Sequence, residues 1–326
     1  MNLNDLATPL ADAIVNEVWR LRFDLHQIDG ARVVDCGVSA KAGLEAGRRL
    51  AEVCLAGLGE VTITRGDASL FDGPSVVVRT DHPLAACMAS QYAGWAIEQQ
   101  VADETYFAMG SGPFRAAAAR EPLFEESTLA PFAEKATHVV GCLESSSLPP
   151  AEVCQELAEK CGVAAKDLTL LVAPTNSQAG AVQVVARSIE TALHKLHELD
   201  FDLSRIESAW GSAPLPPVAG DTMTGIGRTN DAVLYGGHAV LYVRGDDASL
   251  AEVGPQTPSS ASPDHGRPFH EIFQDYDNDF YKIDKLLFSP AMITLVNLDT
   301  GVTHRFGGYE PAVLAQSFGA ETLTSS

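Results

Sequence analysis

The sequence predicts an α/β or α+β fold built as two lobes. Three observations carry this prediction. Helix-period and strand-period stretches alternate along the whole chain, the pattern of mixed layers rather than of a bundle or a sandwich. Two strand-like runs interrupted by turn residues read as hairpins within that alternation. At 326 residues, the chain exceeds the size at which a single core usually stops growing, about 250–300 residues.

The elements follow in order. Residues 9–25 pattern as an amphipathic helix opening at Pro9. ARVVDCG (31–37) reads as a buried strand ended by Gly37, and 41–57 as a second helix with Leu44, Leu50, Val53, Cys54 and Leu55 among its apolar positions. VTIT (61–64) and SVVVRT (75–80) are strands, and a short helix follows Pro83. The acidic stretch EEST (125–128) precedes a new strand, THVVGCLE (137–144), which places the lobe boundary so that the lobes are 1–135 and 136–326. A helix over 150–161 leads to the strand LTLLVAP (168–174). DAVLYGGHAVLYV (231–243) reads as a hairpin about Gly236 and Gly237, where positive φ is cheap. AMITLVNLDTGVTHRF (291–306) reads as another, turning at Asp299, Thr300 and Gly301. Residues 254–268, rich in Pro and Ser, pattern as a long surface loop.

Composition excludes several function classes. Apolar residues are 46% and charged residues 20%, which suits a folded globular chain. Lys and Arg number 22 against 43 Asp and Glu, a net charge of −21 that repels nucleic acid and anionic lipid. No partner of either kind is expected. The six cysteines form no C-x-x-C pair and lie mostly in apolar stretches, so they read as buried thiols. No leader pattern and no apolar run near 20 residues is present, so a reducing cytoplasm is the expected location. The nine histidines do not cluster and no H-E-x-x-H occurs, so no metal is expected. There is no G-x-S-x-G elbow either, which leaves covalent acyl chemistry without support.

Four runs carry polar chemistry. Gly110-Ser111-Gly112-Pro113 ahead of FRAAAAR (114–120) is a loop-to-helix junction whose N–H groups, with Arg115, suit an anion. The same pattern equally describes a tight helix start with no ligand. Gly227 to Ala232 packs Arg228, Thr229, Asn230 and Asp231 ahead of the expected hairpin, which fits a capped turn as well as a site. Ser90-Gln91-Tyr92-Ala93-Gly94-Trp95 and the run from Asn278 to Asp284, with Tyr281 and Lys282, place aromatic rings beside amides and charges. Such groups suit a heterocycle, or simply a core next to a surface.

A fifth element of chemistry is an amphipathic helix after APTNSQAG (173–180). Val182, Val185, Ile189, Leu193 and Leu196 form one apolar stripe, with Ser177 as N-cap. Gln183, Arg187, Glu190 and His194 fall opposite. Arg187 and Glu190, three residues apart, put a cation and a base on one face. By spacing alone the commoner reading is a solvated ion pair worth about 0.2–0.5 kcal/mol.

Six of these runs together resemble the methenyltetrahydromethanopterin cyclohydrolases, especially those of methylotrophic bacteria. They are SQYAGW (90–95), GSGPFRA (110–116), APTNSQAG (173–180), QVVARSIETALHK (183–195), GRTNDAVLYGG (227–237) and DFYKIDKLLFSPA (279–291). The likeness keeps their order and spans nearly the whole chain. It implies reversible hydrolysis of the methenyl bridge of a tetrahydromethanopterin-type C1 carrier to the 5-formyl form. It also implies two α/β lobes with a substrate cleft between them, a homotrimer, and no cofactor beyond the pterin substrate. Glu190 and Arg187 occupy the family's catalytic positions. Gln91, Tyr92, Ser111, Arg115, Asn230, Asp231, Tyr281 and Lys282 are the implied pocket residues. Phe114 departs from the family, which usually has a small residue after GSGP, and predicts a narrowed or rearranged pocket. Two other readings stay open: an oxidoreductase binding a pterin or nucleotide through the 110–113 loop, and a pterin-binding homologue without activity.

Overall fold

The computed structural model describes residues 2–277 and 282–319; the candidate Tyr281 lies outside them. The chain forms two compact units, Met1–Val61 with Leu84–Gln183, and Thr62–Pro83 with Val184–Ser326. The division therefore falls at three points of the sequence rather than near residue 135. Its physical reason is the 59–80 hairpin, whose strands pair into the sheet of the second unit. The expected mixed α/β class holds, with two six-stranded mixed sheets.

In the first unit the strands are β1 (Asp24–Ile28), β2 (Ala31–Asp35), β5 (Trp95–Val101), β6 (Glu104–Ser111), β7 (Val139–Glu144) and β8 (Leu168–Val172). Their order is β1-β2-β8-β7-β6-β5, and β2, β8 and β7 run parallel at the centre. β8, LTLLV, is buried at every position, as a parallel strand covered on both faces must be. Alternate residues divide between two cores. Val34, Val140, Cys142 and Leu171 pack with helices α1 (Leu3–Asn16) and α3 (Leu44–Cys54). Val33, Val139, Leu143, Leu170 and Val172 pack with α5 (Ala151–Lys160). All six cysteines are free and buried.

In the second unit the strands are β3 (Gly59–Arg65), β4 (Pro74–Thr80), β9 (Ile206–Pro214), β10 (His238–Val243), β11 (Met292–Asn297) and β12 (Thr303–Gly307), in the order β12-β11-β10-β9-β4-β3. Only β10 and β11 are parallel among the pairs with a described register. No helix among the described residues is long and apolar enough to cross a membrane.

Several local expectations change. The first helix starts at Leu3, capped by the Asn2 side chain on the Asp5 N–H, and carries Pro9 in its interior. After the short α2 (Val18–Leu21), the stretch read as its end is strand β1. The 231–243 hairpin is not formed. Residues Thr222–Gly236 are one helix, α8, because Asp221 caps it on the Thr224 N–H. Burial of Ala232, Val233, Leu234 and Tyr235 then overrides their strand propensity. β10 pairs with β9 and β11 instead. The 227–232 run is accordingly helical, not a turn. The 254–268 stretch holds two 3₁₀ turns with Thr257, Ser259 and Ser262 buried. Their hydroxyls donate to Val253 O, Leu234 O and Asp284 Oδ2, which makes burial of a Ser-rich segment affordable. The 291–306 hairpin forms as expected, with β11 and β12 antiparallel.

Candidate active site

The helix that carries the Arg–Glu pair is interrupted. α6 (Gln178–Val185) begins with Ser177, whose hydroxyl accepts the Gly180 N–H at 3.0 Å. α7 (Ser188–Glu198) begins after Arg187, the N-cap residue, at φ −94° and ψ 11°. Arg187 thus stands at the break and Glu190 in the first turn of α7, where the helix dipole favours an anion. Both are buried, at 5% and 4% exposure, and Gln183 at 2%. The stripe read as solvated is an interior surface. Taking a cation and a carboxylate out of water is expensive unless each is compensated, so burial of this pair marks a built arrangement.

α7 rests on β9 at Gly211. A Cβ there would lie 2.5 Å from Ser188 Oγ and 2.9 Å from Ile189 Cγ1, so the first turn sits on a strand with no side chain beneath it. Further along α7, the fully buried Lys195 donates to Leu286 O. Burial pulls its pKa down to about 8 against the pull of Asp284. Lys285 reaches Glu198 at 3.4 Å, so two ties hold the 285–286 segment to this helix. His194, on the polar stripe, is driven to about pKa 4 by burial and is neutral near pH 7.

In the first unit the candidates Tyr92, Ser111 and Arg115 gather around one knot. The predicted short helix after Pro83 is a π-helix, Leu84–Gln91, and Gln91 is fully buried at its end. Arg115 is 0% exposed; its Nη1 donates to Met88 O and Ser90 O, and its Nε and Nη2 to Glu121. Its guanidinium also lies 5.1 Å from the Tyr92 ring centre. The Gly112 N–H donates to Ser90 O. The Arg115 guanidinium and the Gly112 N–H, donors that an anion would need, are therefore engaged inside the unit, which counts against the phosphate-loop reading of 110–113. Ser111 lies buried against Cys54 Sγ at 3.2 Å. Phe114 is fully buried, stacked on Trp95 at 4.7 Å, and fills the space left by Gly110 and Gly141.

In the second unit, Asn230 donates to Ile226 O within α8. Asp231 is fully buried and accepts the N–H of Phe269, the first residue of α10 (Phe269–Asp275). Burial raises its pKa to about 7, with the Ser317 hydroxyl and the Phe269 N–H pulling the other way. Because the folded pKa lies above the ordinary 3.8, the folded chain holds the extra proton between about pH 4 and 7. Stability contributed by the neutral acid is then lost as pH rises through that window. We expect Asp231→Asn to gain stability on the parent from pH 4 to pH 7, by at most about 1.4 kcal/mol per pH unit, and to level off above. Urea unfolding of both proteins across that range checks it; parallel curves would contradict it. Lys282 is exposed and pairs with Asp277 at 3.0 Å.

The carboxyl ends of the parallel strands carry further polar groups that local sequence pattern does not single out. Asp35, at the end of β2, accepts the N–H groups of Gly37, Val38, Ser39 and Ala40 at 2.7–3.2 Å and so orders that loop. Gln183 Nε2 donates to Glu144 Oε1 at 3.2 Å, at the end of β7. Ligands of open α/β sheets bind at such strand ends, a signal available once 137–144 and 168–174 were read as neighbouring strands. A cavity of about 230 Å³ in the second unit is lined by Arg65, Val77, Trp210, Ser212 and Tyr309 among others, and none of the sequence candidates borders it. Among the described residues no group of three or more His, Cys, Asp or Glu side chains is placed to hold a metal ion.

Arg187 and Glu190, buried at a helix start on an α/β frame, are residue types that proton-transfer enzymes use. The chain belongs to the family described as Cyclohydrolase (MCH), which matches residues 2–318. It is similar to methenyltetrahydromethanopterin cyclohydrolases of Rhodopirellula baltica (49% identical over 294 residues, 90% of this chain and 87% of that protein) and of Methylobacterium sp. strain 4-46 (45% over 318 residues, 97% of each). The like-named protein of Methanospirillum hungatei is 39% identical over 320 residues, 98% of this chain and 99% of that one.

Proposed function

We propose that this chain hydrolyses the methenyl bridge of a tetrahydromethanopterin-type C1 carrier, reversibly, to the 5-formyl form. The bridge is an amidinium-like cation with an electrophilic carbon. Water adds to that carbon and one of its protons passes to Glu190; the C–N bond on the side away from N5 then breaks as the adduct's hydroxyl gives up its proton and becomes the formyl carbonyl, so that one of the two water protons ends on the freed nitrogen and the other is released to solvent. The reverse reaction retraces these steps. Arg187 orients the Glu190 carboxylate. Orientation has to be its main service, because a neighbouring cation weakens a carboxylate as a base.

The observation that carries this reading is the burial of Arg187 and Glu190, at 5% and 4% exposure. A solvated pair of little consequence does not sit inside a protein. Family membership and the relatives' names supply the substrate class. Among the pocket candidates, Tyr92, Asn230 and Lys282 keep some exposure and suit contact with substrate, while Ser111, Arg115 and Asp231 are buried in knots that hold the surrounding loops. The reading includes no resident metal or prosthetic group. It includes a homotrimer, on the family resemblance, and a cytoplasmic location, which six free thiols suit. Adding methenyl-tetrahydromethanopterin and following loss of its chromophore tests it. Loss proportional to protein concentration is expected; a rate equal to buffer alone would refute the reading.

A further inference from the structure

The loops after the three parallel strands of the first unit come together with one polar group left over. Pro174 O accepts both the N–H and the hydroxyl of Ser177, closing the turn after β8 on itself. The loop after β2 touches it: a Cβ on Gly37 would lie 2.4 Å from Ser177 Oγ. The end of β7 joins through the Ala173 N–H, which donates to Leu143 O. Inside this turn stands Thr175. It is 8% exposed, and its Oγ1 has no hydrogen-bond partner. Buried hydroxyls are nearly always satisfied, and an exception calls for a reason.

We propose that Thr175 is a substrate-binding residue whose hydroxyl is satisfied by the polar edge of the bound tetrahydropterin ring. This rests on the function proposed above and adds a specificity residue to it. The chemistry around Thr175 suits a neutral heterocycle rather than an anion. Glu144 places a carboxylate at the adjacent strand end, with one oxygen fixed by Gln183. A carboxylate repels phosphate and accepts from the amino and ring N–H groups of a pterin, while a hydroxyl donates to its carbonyl oxygen. The Asp35 carboxylate is already engaged by four backbone N–H groups and takes no part. A site that hydrogen-bonds its substrate through a buried group discriminates strongly against loss of that bond.

Thr175→Val and Thr175→Ser test the assignment, with KM, kcat and melting temperature measured for each. Valine keeps the shape and removes only the hydroxyl. We expect Thr175→Val to raise KM by roughly tenfold, with kcat little changed and a melting temperature equal to or above the parent. Thr175→Ser is expected to keep KM near the parent value. A Thr175→Val protein with parent KM and a raised melting temperature would overturn the proposal, since the hydroxyl would then be an unsatisfied group and nothing more. If the parent binds the methenyl substrate without turning it over, the function fails and calorimetric Kd values of the same variants still decide for or against Thr175. If the parent does not bind it at all, both fall.

Discussion

Glu190→Gln is expected to lower kcat/KM for methenyl hydrolysis by a factor of about 10²–10⁴, the usual worth of a positioned general base. The amide has the size of the carboxylate and can still accept hydrogen bonds, but it cannot take the proton of the attacking water. Glu190 is 4% exposed, so bulk buffer is poorly placed to substitute. The loss should fall on kcat more than on KM, because the base acts in the transition state. Removing one charge of a buried set also leaves the other less compensated, so some loss of stability is expected as well. Measuring kinetics below the melting transition of the variant separates the two effects. Parent-like kcat in a folded Glu190→Gln protein would remove Glu190 as the base.

The second large effect is expected at Gly211 of β9, beneath the first turn of α7. Gly211→Ala places a methyl group 2.5 Å from Ser188 Oγ, 2.9 Å from Ile189 Cγ1 and 3.3 Å from Ile189 N. Real Cβ atoms do not approach as closely as the first two distances, and the third, to backbone, is tight. Ser188 and Ile189 therefore have to give way, which is expected to shift the first turn of α7 on β9. That turn lies between Arg187 and Glu190, so the pair moves with it. A displacement near 1 Å costs about 10²-fold in rate when it misplaces a catalytic group, and overpacking of this kind about 1–3 kcal/mol in stability. Gly220→Ala serves as the control, since a Cβ there meets nothing within 4 Å. The control is expected to match the parent in rate and melting temperature. Parent-like activity in Gly211→Ala would show that α7 is not held by this close approach.

Much of the fold was legible in the sequence, for identifiable reasons. β7, β8, α5 and the β11–β12 hairpin were read where periodicity, length and turn residues agreed. Failures came where a distant residue decides. Val233, Leu234 and Tyr235 look like strand, but Asp221, ten or more positions upstream, starts a helix through them. Ser259 and Ser262 look solvated, but their hydroxyls find Leu234 O and Asp284 in the fold. The break at Arg187 carries no Gly or Pro to announce it. The place of β3 and β4 in the second sheet depends on pairing with β9, far along the chain, which local pattern does not encode.

The site was legible in a different way. Spacing put Arg187 and Glu190 on one face but could not say whether that face was wet. Burial is a property of what packs over a helix, and polar stripes ordinarily have nothing over them. Resemblance singled out Arg115, Ser111 and Asp231, and the structure places them in buried knots rather than at a surface. Thr175 lay inside a recognised block, yet only its missing hydrogen-bond partner draws attention to it.

In the proposed reaction water attacks the methenyl carbon with Glu190 as its base. Hydrolysis in water enriched in heavy oxygen, with mass spectrometry of the product, tests it most directly. One heavy oxygen is expected in the formyl group at N5, formed in proportion to the parent protein and reduced to near the buffer rate with Glu190→Gln. A product formed equally fast with Glu190→Gln, or the absence of labelled formyl product with the parent, would contradict it.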